Sequence, residues 1–362
     1  MPDPPDLAIP CKIEFPVPTQ FIMNNEQPFI SVIIPVHNGS KYIAGCIDAL
    51  GDSSYQSFEI IVADDASTDG TAEICKRAGA RVIELPRRSG PASARNRGAE
   101  EAVGEILLFI DSDVVVKKDT VERVARNFRD NPGISALFGS YDDEPSAPDF
   151  LSQYRNLLHH YVHQRSERYA KTFWAGCGAV RREVFLTLGG FDNERFEEPS
   201  IEDIEFGYRL SEKGYKIVLD KELQVKHLKH WGWYSLIRTD IMNRALPWSK
   251  LIVESKTIPG ELNLRISDRI STLLVGLLII SALIVLAGLF GLYDSPGLEI
   301  ISLIFILISF SVIIFLNRDL YGFFLRKRGV QFTLLAVPMH LFYYFYCGLS
   351  FGFCWVREKL SF

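Results

Sequence analysis

From Phe29 onward, short apolar runs alternate with amphipathic stretches. The runs Ser31–Pro35, Glu59–Ala63, Arg81–Leu85 and Ile106–Ile110 predict strands, and Tyr42–Leu50, Thr71–Ala78 and Pro91–Val103 predict the helices between them. Strands alternating with helices imply right-handed βαβ units, and hence a mostly parallel sheet covered on both faces. The pattern then changes. Ile270–Leu292 carries no charge, Gly297–Leu316 carries only Glu299, and Phe332–Val356 is uncharged, broken by Pro338 and His340. At 1.5 Å rise per residue each is long enough to cross a hydrocarbon core of about 30 Å. The chain thus reads as a proline-rich lead-in (1–28), an α/β domain (29–230), an interfacial or amphipathic linker (231–264) and a membrane domain (265–362) with spans 270–292, 297–316 and 332–356.

Basic residues orient those spans. Arg265 and Arg269 precede the first, and Arg318, Arg326, Lys327 and Arg328 separate the second from the third. The Tyr293–Pro296 loop has none, so the positive-inside rule puts the α/β domain and the Arg326–Arg328 loop in the cytosol. Arg357 and Lys359 then fall on the far side, against the rule's trend. Tyr321–Leu325 is short enough to lie flat in the interface, and an intramembrane His340 is either functional or hydrogen-bonded within a helix bundle. The linker, rich in aromatic and basic residues, suits either the bilayer surface or a helix packed on the α/β domain.

Charge narrows the partners. The net charge is −5, yet residues 265–362 carry a surplus of basic groups, which leaves the preceding part distinctly acidic. An acidic soluble part excludes nucleic acid as the main partner, since phosphate binding needs a basic surface. The six cysteines form no C-x-x-C pair, consistent with reduced, mostly buried thiols on the cytosolic side. Residues 1–28 hold seven prolines and lack a basic segment followed by an apolar core, so they do not read as a secretory signal. Phe15 and Phe21 could anchor that segment.

In a parallel sheet ligands bind beyond the carboxyl ends of the strands. The first strand ends in Pro35-Val36-His37-Asn38, the second in Asp64-Asp65-Ala66-Ser67 and the fourth in Asp111-Ser112-Asp113. No G-x-G-x-x-G follows the first strand and no P-loop is present, which weakens dinucleotide and P-loop readings. Carboxylates repel a diphosphate, but they hold Mg²⁺ or Mn²⁺, which bridges to phosphates and neutralises a leaving group. Arg95 and Arg97 lie on the helix after the third strand, where one can reach a diphosphate or base and the other an acidic neighbour. Trp174 beside the small residues Ala175-Gly176 can stack on a sugar that approaches closely. Glu202-Asp203 opens a helix, where a carboxylate is held ionised, as a general base must be. His159 and His163 have the i, i+4 spacing of zinc ligands, but no H-E-x-x-H motif is present.

These segments resemble the family-2 glycosyltransferases, whose catalytic domain has the GT-A-type fold. The matching motifs, in family order, are SVIIPVHNGSKYI (31–43), EIIVADDASTDGT (59–71), ARNRG (94–98), DSD (111–113), WAGCGAVRREVF (174–185), LGGFD (188–192) and IEDIEFGYRL (201–210). The resemblance implies an inverting transfer from a nucleotide-sugar to a lipid-linked or glycan acceptor at a membrane, with the catalytic domain cytosolic. It implies that Pro35, Asp64, Asp65 and Arg95 surround the nucleoside, with Trp174 and Gly176 also on the nucleotide-sugar. Asp113 would ligate the metal, Asp111 would support sugar, ribose or metal, and His227 would reach metal or diphosphate. Asp203 would be the catalytic base, with Glu202 beside it. The Q-x-x-R-W segment of processive synthases is not matched by Arg244-Ala245-Leu246-Pro247-Trp248, and all spans follow the catalytic domain. A processive polysaccharide synthase is therefore the alternative. A non-catalytic nucleotide-sugar-binding scaffold would be expected to have lost a carboxylate, and Asp65, Asp111, Asp113 and Asp203 are all present.

Overall fold

The computed structural model describes residues 27–255 and 262–360; most of the lead-in, including Cys11, Phe15 and Phe21, lies outside the described residues. Strands in chain order are β1 (Ile30–Val36), β2 (Phe58–Asp64), β3 (Arg81–Glu84), β4 (Ile106–Ile110), β5 (Val114–Val115), β6 (Ala136–Tyr141), β7 (Tyr169–Ala170), β8 (Cys177–Arg181) and β9 (Ile217–His227). The helices are α1 (Ile43–Gly51), α2 (Thr71–Arg77), α3 (Gly90–Glu101), α4 (Thr120–Asp130), α5 (Phe150–Arg165), α6 (Arg182–Thr187), α7 (Glu202–Glu212), α8 (Trp233–Arg238), α9 (Leu246–Ser255), α10 (Ile266–Leu289), α11 (Pro296–Leu316) and α12 (Arg318–Leu360). The chain divides into two compact units. One holds the described residues up to Gly139 together with Lys171–Leu228, and the other holds Ser140–Ala170 and those from Lys229 on.

The first unit is the α/β layer. Its strand order runs β3-β2-β1-β4-β8-β6-β9-β5. β3, β2, β1 and β4 are parallel, whereas β8 runs antiparallel to β4 and to β6, and β5 antiparallel to β9. The parallel half follows from its sequence: every residue of β1 and β4 is buried, as it must be when helices cover both faces. Beneath them Phe109, Phe185, Phe191 and Phe206 pack ring against ring at centroid distances of 5.2–5.3 Å. The Cys46, Cys75 and Cys177 thiols are buried and their pKa values are pushed up chiefly by that burial, which makes them poor nucleophiles.

One glycine is fixed by its surroundings. Gly90 opens α3 at φ +84°, and a Cβ there would run into the carbonyl of Glu197, with its carbon 2.7 Å away. A left-handed backbone already costs a substituted L-residue about 1–2 kcal/mol. Gly90→Ala is therefore expected to destabilise the fold by at least ~2 kcal/mol, seen as a lowered unfolding midpoint. An unchanged midpoint would refute the steric argument.

The second unit contains three helices long and apolar enough to cross a membrane, α10, α11 and α12. The first stops at Leu289, where Gly291 takes φ +67° in the left-handed manner of helix ends. The third is broken at Gly329 (φ +80°, ψ −176°), which separates an amphipathic segment from the apolar stretch that follows. Leu320, Tyr321 and Phe324 of that segment pack with Leu151, Tyr154, Leu157 and Leu158 of α5. Arg328 adds bonds to the Gln153 side chain at 2.7 Å and the Asp143 carbonyl at 2.9 Å, and Lys327 pairs with the Asp143 carboxylate. His340 is buried, its Nδ1 3.2 Å from the Tyr321 hydroxyl, which is the hydrogen-bonded alternative raised for it by the sequence.

Between α8 and α9 the chain forms a π-helix, Thr239–Ala245. Asp240 within it accepts from Arg244 at 3.0 Å and from the Tyr346 hydroxyl at 2.8 Å, and pairs with Arg155 at 3.2 Å. Removing one partner of a buried ion pair strands the others. Asp240→Ala is expected to destabilise this unit by roughly 3–5 kcal/mol, measured as a lowered thermal midpoint of the full chain in detergent. A shift below about 1 kcal/mol would mean the arginines find other partners.

Candidate active site

Because β2, β1 and β4 are adjacent and parallel, the residues that follow them share one edge of the sheet. Asn38 and Ala66, in the turns after β1 and β2, take the left-handed conformation (φ 51° and 56°), which non-glycine residues keep only where the surroundings enforce it. The turns are stitched together. Asn38 N–H donates to Ser67 Oγ at 2.8 Å, Thr68 N–H donates to Asn38 Oδ1 at 2.9 Å, and His37 Nδ1 lies 2.7 Å from the Asp65 carbonyl. Pro35 is buried inside β1, paired with Ala63.

Asp64 and Asp65 do different things. Both oxygens of Asp65 accept backbone N–H groups from the start of α3, Ser89 at 2.7 Å and Gly90 at 2.8 Å. This carboxylate therefore anchors α3 to β2 while a second lone pair on each oxygen remains. Asp64 is also buried; its Oδ2 accepts from Ser67 N–H, and its Oδ1 has no hydrogen-bond partner. No sequence motif distinguishes the two, because only their opposite orientations on the strand assign the contacts.

Arg95 points inward from α3 and Arg97 outward. Arg97 pairs with Glu100 and Glu101 on the exposed face. Arg95 is buried, donating from Nη2 to Asp111 Oδ1 and from Nη1 to Glu202 Oε1, each at 2.8 Å. Burial pulls the guanidinium's pKa down, but Asp111, Glu202 and Asp203 more than offset this and raise it, so the charge is held. This double bridge escaped the sequence reading: spacing along α3 does not reveal which of two arginines turns inward.

The bridge joins the strand-end carboxylates to the start of α7. Glu202 is buried and its other oxygen accepts from Ser200 N–H at 3.0 Å. Asp203, half-buried beside it, accepts from Ala175 N–H at 3.0 Å and from Ile204 N–H at 2.8 Å. Burial, reinforced by the neighbouring Glu202 charge, pushes the Asp203 carboxyl up to about 7. A carboxyl that titrates near neutrality can take a proton and give it up again. The Ala175 bond also brings the Trp174–Cys177 turn to this group. The Trp174 indole folds over Gly176, leaving no room for a Cβ there, with ring carbon Cε2 at 2.5 Å.

Asp113 stands at the other side of Asp111, before β5. Because Val114 pairs with His227 across β5 and β9, the Asp113 Oδ2 and His227 Nε2 atoms come within 3.6 Å. The Asp113 oxygens suit Mn²⁺ or Mg²⁺, whereas the softer imidazole nitrogen of His227 is a poor ligand for Mg²⁺ and better suited to Mn²⁺. Among the described residues no group of three His, Cys, Asp or Glu forms a complete cage. An ion on Asp113 and His227 would take waters and substrate phosphates as its remaining ligands. His159 and His163, by contrast, lie in the other unit with rings 4.0 Å apart, His159 also against Tyr141 at 4.5 Å.

A four-stranded parallel edge carrying carboxylates, completed by an antiparallel half, is the α/β fold of GT-A type. Residues 31–189 match the model of the family described as Glycosyl transferase family 2, so the chain carries a family-2 glycosyltransferase domain. It is similar to the glycosyltransferase GlyG of Streptococcus pneumoniae, 32% identical over 126 residues that cover 33% of this chain and 42% of the relative. It is also similar to the glycosyltransferase AglE of Haloferax volcanii, 28% identical over 208 residues, 54% of this chain and 65% of that one. The chain thus matches less than two thirds of the length of either relative. Among solved structures, the mannosyltransferase PcManGT from Pyrobaculum calidifontis, in complex with GDP-Man and Mn²⁺, aligns with TM-score 0.48 and 17% identity over 90% of this chain and 87% of that one.

Proposed function

We propose that the chain transfers a sugar from a nucleotide-sugar to a lipid-linked or membrane-proximal acceptor, in an inverting, metal-dependent reaction at the cytosolic face of a membrane. One observation carries this reading: Arg95 bonds both Asp111, after β4, and Glu202, at the start of α7, so carboxylates far apart in the chain border a single site. In it Pro35, Asp64 and Asp65 border the nucleoside, and Trp174 and Gly176 lie against the sugar. Asp113 and His227, supported by Asp111, would hold Mg²⁺ or Mn²⁺, which when bound neutralises charge on the departing diphosphate. The acceptor oxygen forms the new bond to the anomeric carbon as the bond to the diphosphate breaks, and the nucleoside diphosphate leaves with the electron pair. Asp203 takes the proton of a hydroxyl acceptor.

The membrane part of the reading rests on the three long apolar helices and on their basic flanks, Arg265 before α10 and Arg269 in its first turn, and Arg318 with Arg326–Arg328 in the part of α12 before its break. The test is direct. Purified full-length protein, given Mn²⁺ or Mg²⁺, a lipid extract and a panel of nucleotide-sugars, releases nucleoside diphosphate with at least one donor; silence with all of them sinks the proposal.

A further inference from the structure

We propose that Arg95 is a positioning residue, a buried strut that ties the Asp111 end of β4 to the start of α7 and so fixes Glu202 beside Asp203. The role of Asp203 as base is taken from the glycosyltransferase reading above; the strut itself is read from geometry. Each terminal nitrogen of Arg95 bonds a different carboxylate at 2.8 Å, and the guanidinium lies 5.7 Å from the centre of the Phe191 ring. Its Nε is buried without a hydrogen-bond partner, so the side chain is held by its two terminal bonds and by packing. The planar fork is what allows one cation to serve two acceptors in fixed directions, which a lysine ammonium does not reproduce.

The arrangement has a chemical consequence. Three carboxylates, Asp111 after β4 and Glu202 and Asp203 on α7, face one cation from α3. Arg95 neutralises Asp111 and Glu202 directly, while Asp203 instead receives the Ala175 N–H. Glu202 thereby acts on the reaction through its neighbour: held in place, its charge makes Asp203 a stronger proton acceptor. The dipeptide divides into a tuned group, Asp203, and the group that tunes it.

Two variants of the full-length protein separate this from a role in donor binding. Glu202→Gln keeps the shape and removes the charge, so the lower pH limb of kcat/KM is expected to move to lower pH with donor KM within threefold of wild type. Arg95→Lys keeps the charge but loses the fork that holds Glu202, so it is expected to lower kcat at least tenfold, move that limb to lower pH as well, and leave donor KM within threefold. A tenfold or larger rise in donor KM with the limbs unmoved overturns the proposal, because Arg95 then holds the donor. A readout without turnover is also at hand. The wild-type Tm falls between about pH 4 and 7 as Asp203 ionises, since its pKa is raised in the folded state, and Glu202→Gln flattens that fall. Superimposable Tm–pH curves for the two proteins overturn the strut and tuning roles. A wild type inactive with every donor sinks the glycosyltransferase reading instead, and the Tm curves still decide this one.

Discussion

Asp203→Asn is expected to lower kcat by about 10²–10⁴-fold with a hydroxyl acceptor, the usual contribution of a positioned general base. The amide keeps the size of the side chain and leaves Arg95, Glu202 and Asp111 in place, so donor KM should stay near the wild-type value. The pH profile carries the sign. Burial and the Glu202 charge raise the Asp203 carboxyl to about 7, while the Ala175 N–H and Arg95 pull it back. The base form accumulates as pH rises, so kcat/KM should climb about tenfold per pH unit below neutrality and level off above it. Folding stability runs the opposite way: the folded state holds this proton more tightly than the unfolded chain, so stability declines from about pH 4 to 7 as activity grows. A limb in the ordinary carboxylate range, or an Asn variant with more than a tenth of the wild-type rate, removes Asp203 from the base role. With a phosphate acceptor, already anionic, the limb should fade.

The second large effect is metal removal. Chelation is expected to abolish nucleoside diphosphate release, and added Mn²⁺ or Mg²⁺ to restore it, since in the proposed site the ion would be held by Asp113 and His227, whose side chains approach within 3.6 Å. An ion held by so few side chains exchanges readily. Asp113→Ala is expected to raise the metal concentration for half-maximal activity at least 100-fold, and His227→Gln by ~10-fold or more. Full activity after exhaustive chelation would refute the metal requirement, and an unchanged metal response in Asp113→Ala would move the ion elsewhere.

Much of the parallel half was legible from the chain alone. Ile106–Ile110 is buried at every position, and a run of five apolar residues ending in Asp-Ser-Asp leaves little choice but a central strand that ends in carboxylates at the carboxyl edge of the sheet. The carboxylates could be placed because strand ends are fixed by topology. Side-chain pairing was not legible in the same way. Asp64 and Asp65 are chemically identical neighbours, and which one anchors the Ser89–Gly90 turn depends on a pleat that only the folded strand defines. Arg95 and Arg97 differ only in the face of α3 they occupy, and that helix has too few apolar residues to announce its inner face. The antiparallel strands were harder still, since β8 and β9 contain Gly, Lys and Glu and pair over long sequence separations.

The segment around α5 carries a lesson for anyone dissecting the chain. Residues 140–170 are flanked on both sides by sequence of the α/β layer, yet they fold with the helices that begin after residue 229, where Leu151, Tyr154, Leu157 and Leu158 meet Trp231, Leu320 and Phe324. A fragment cut off near residue 230 would therefore be no clean soluble enzyme. It would keep α5 with the companions of its apolar face discarded, and that bared face would drive it toward detergent, membranes or other copies of itself.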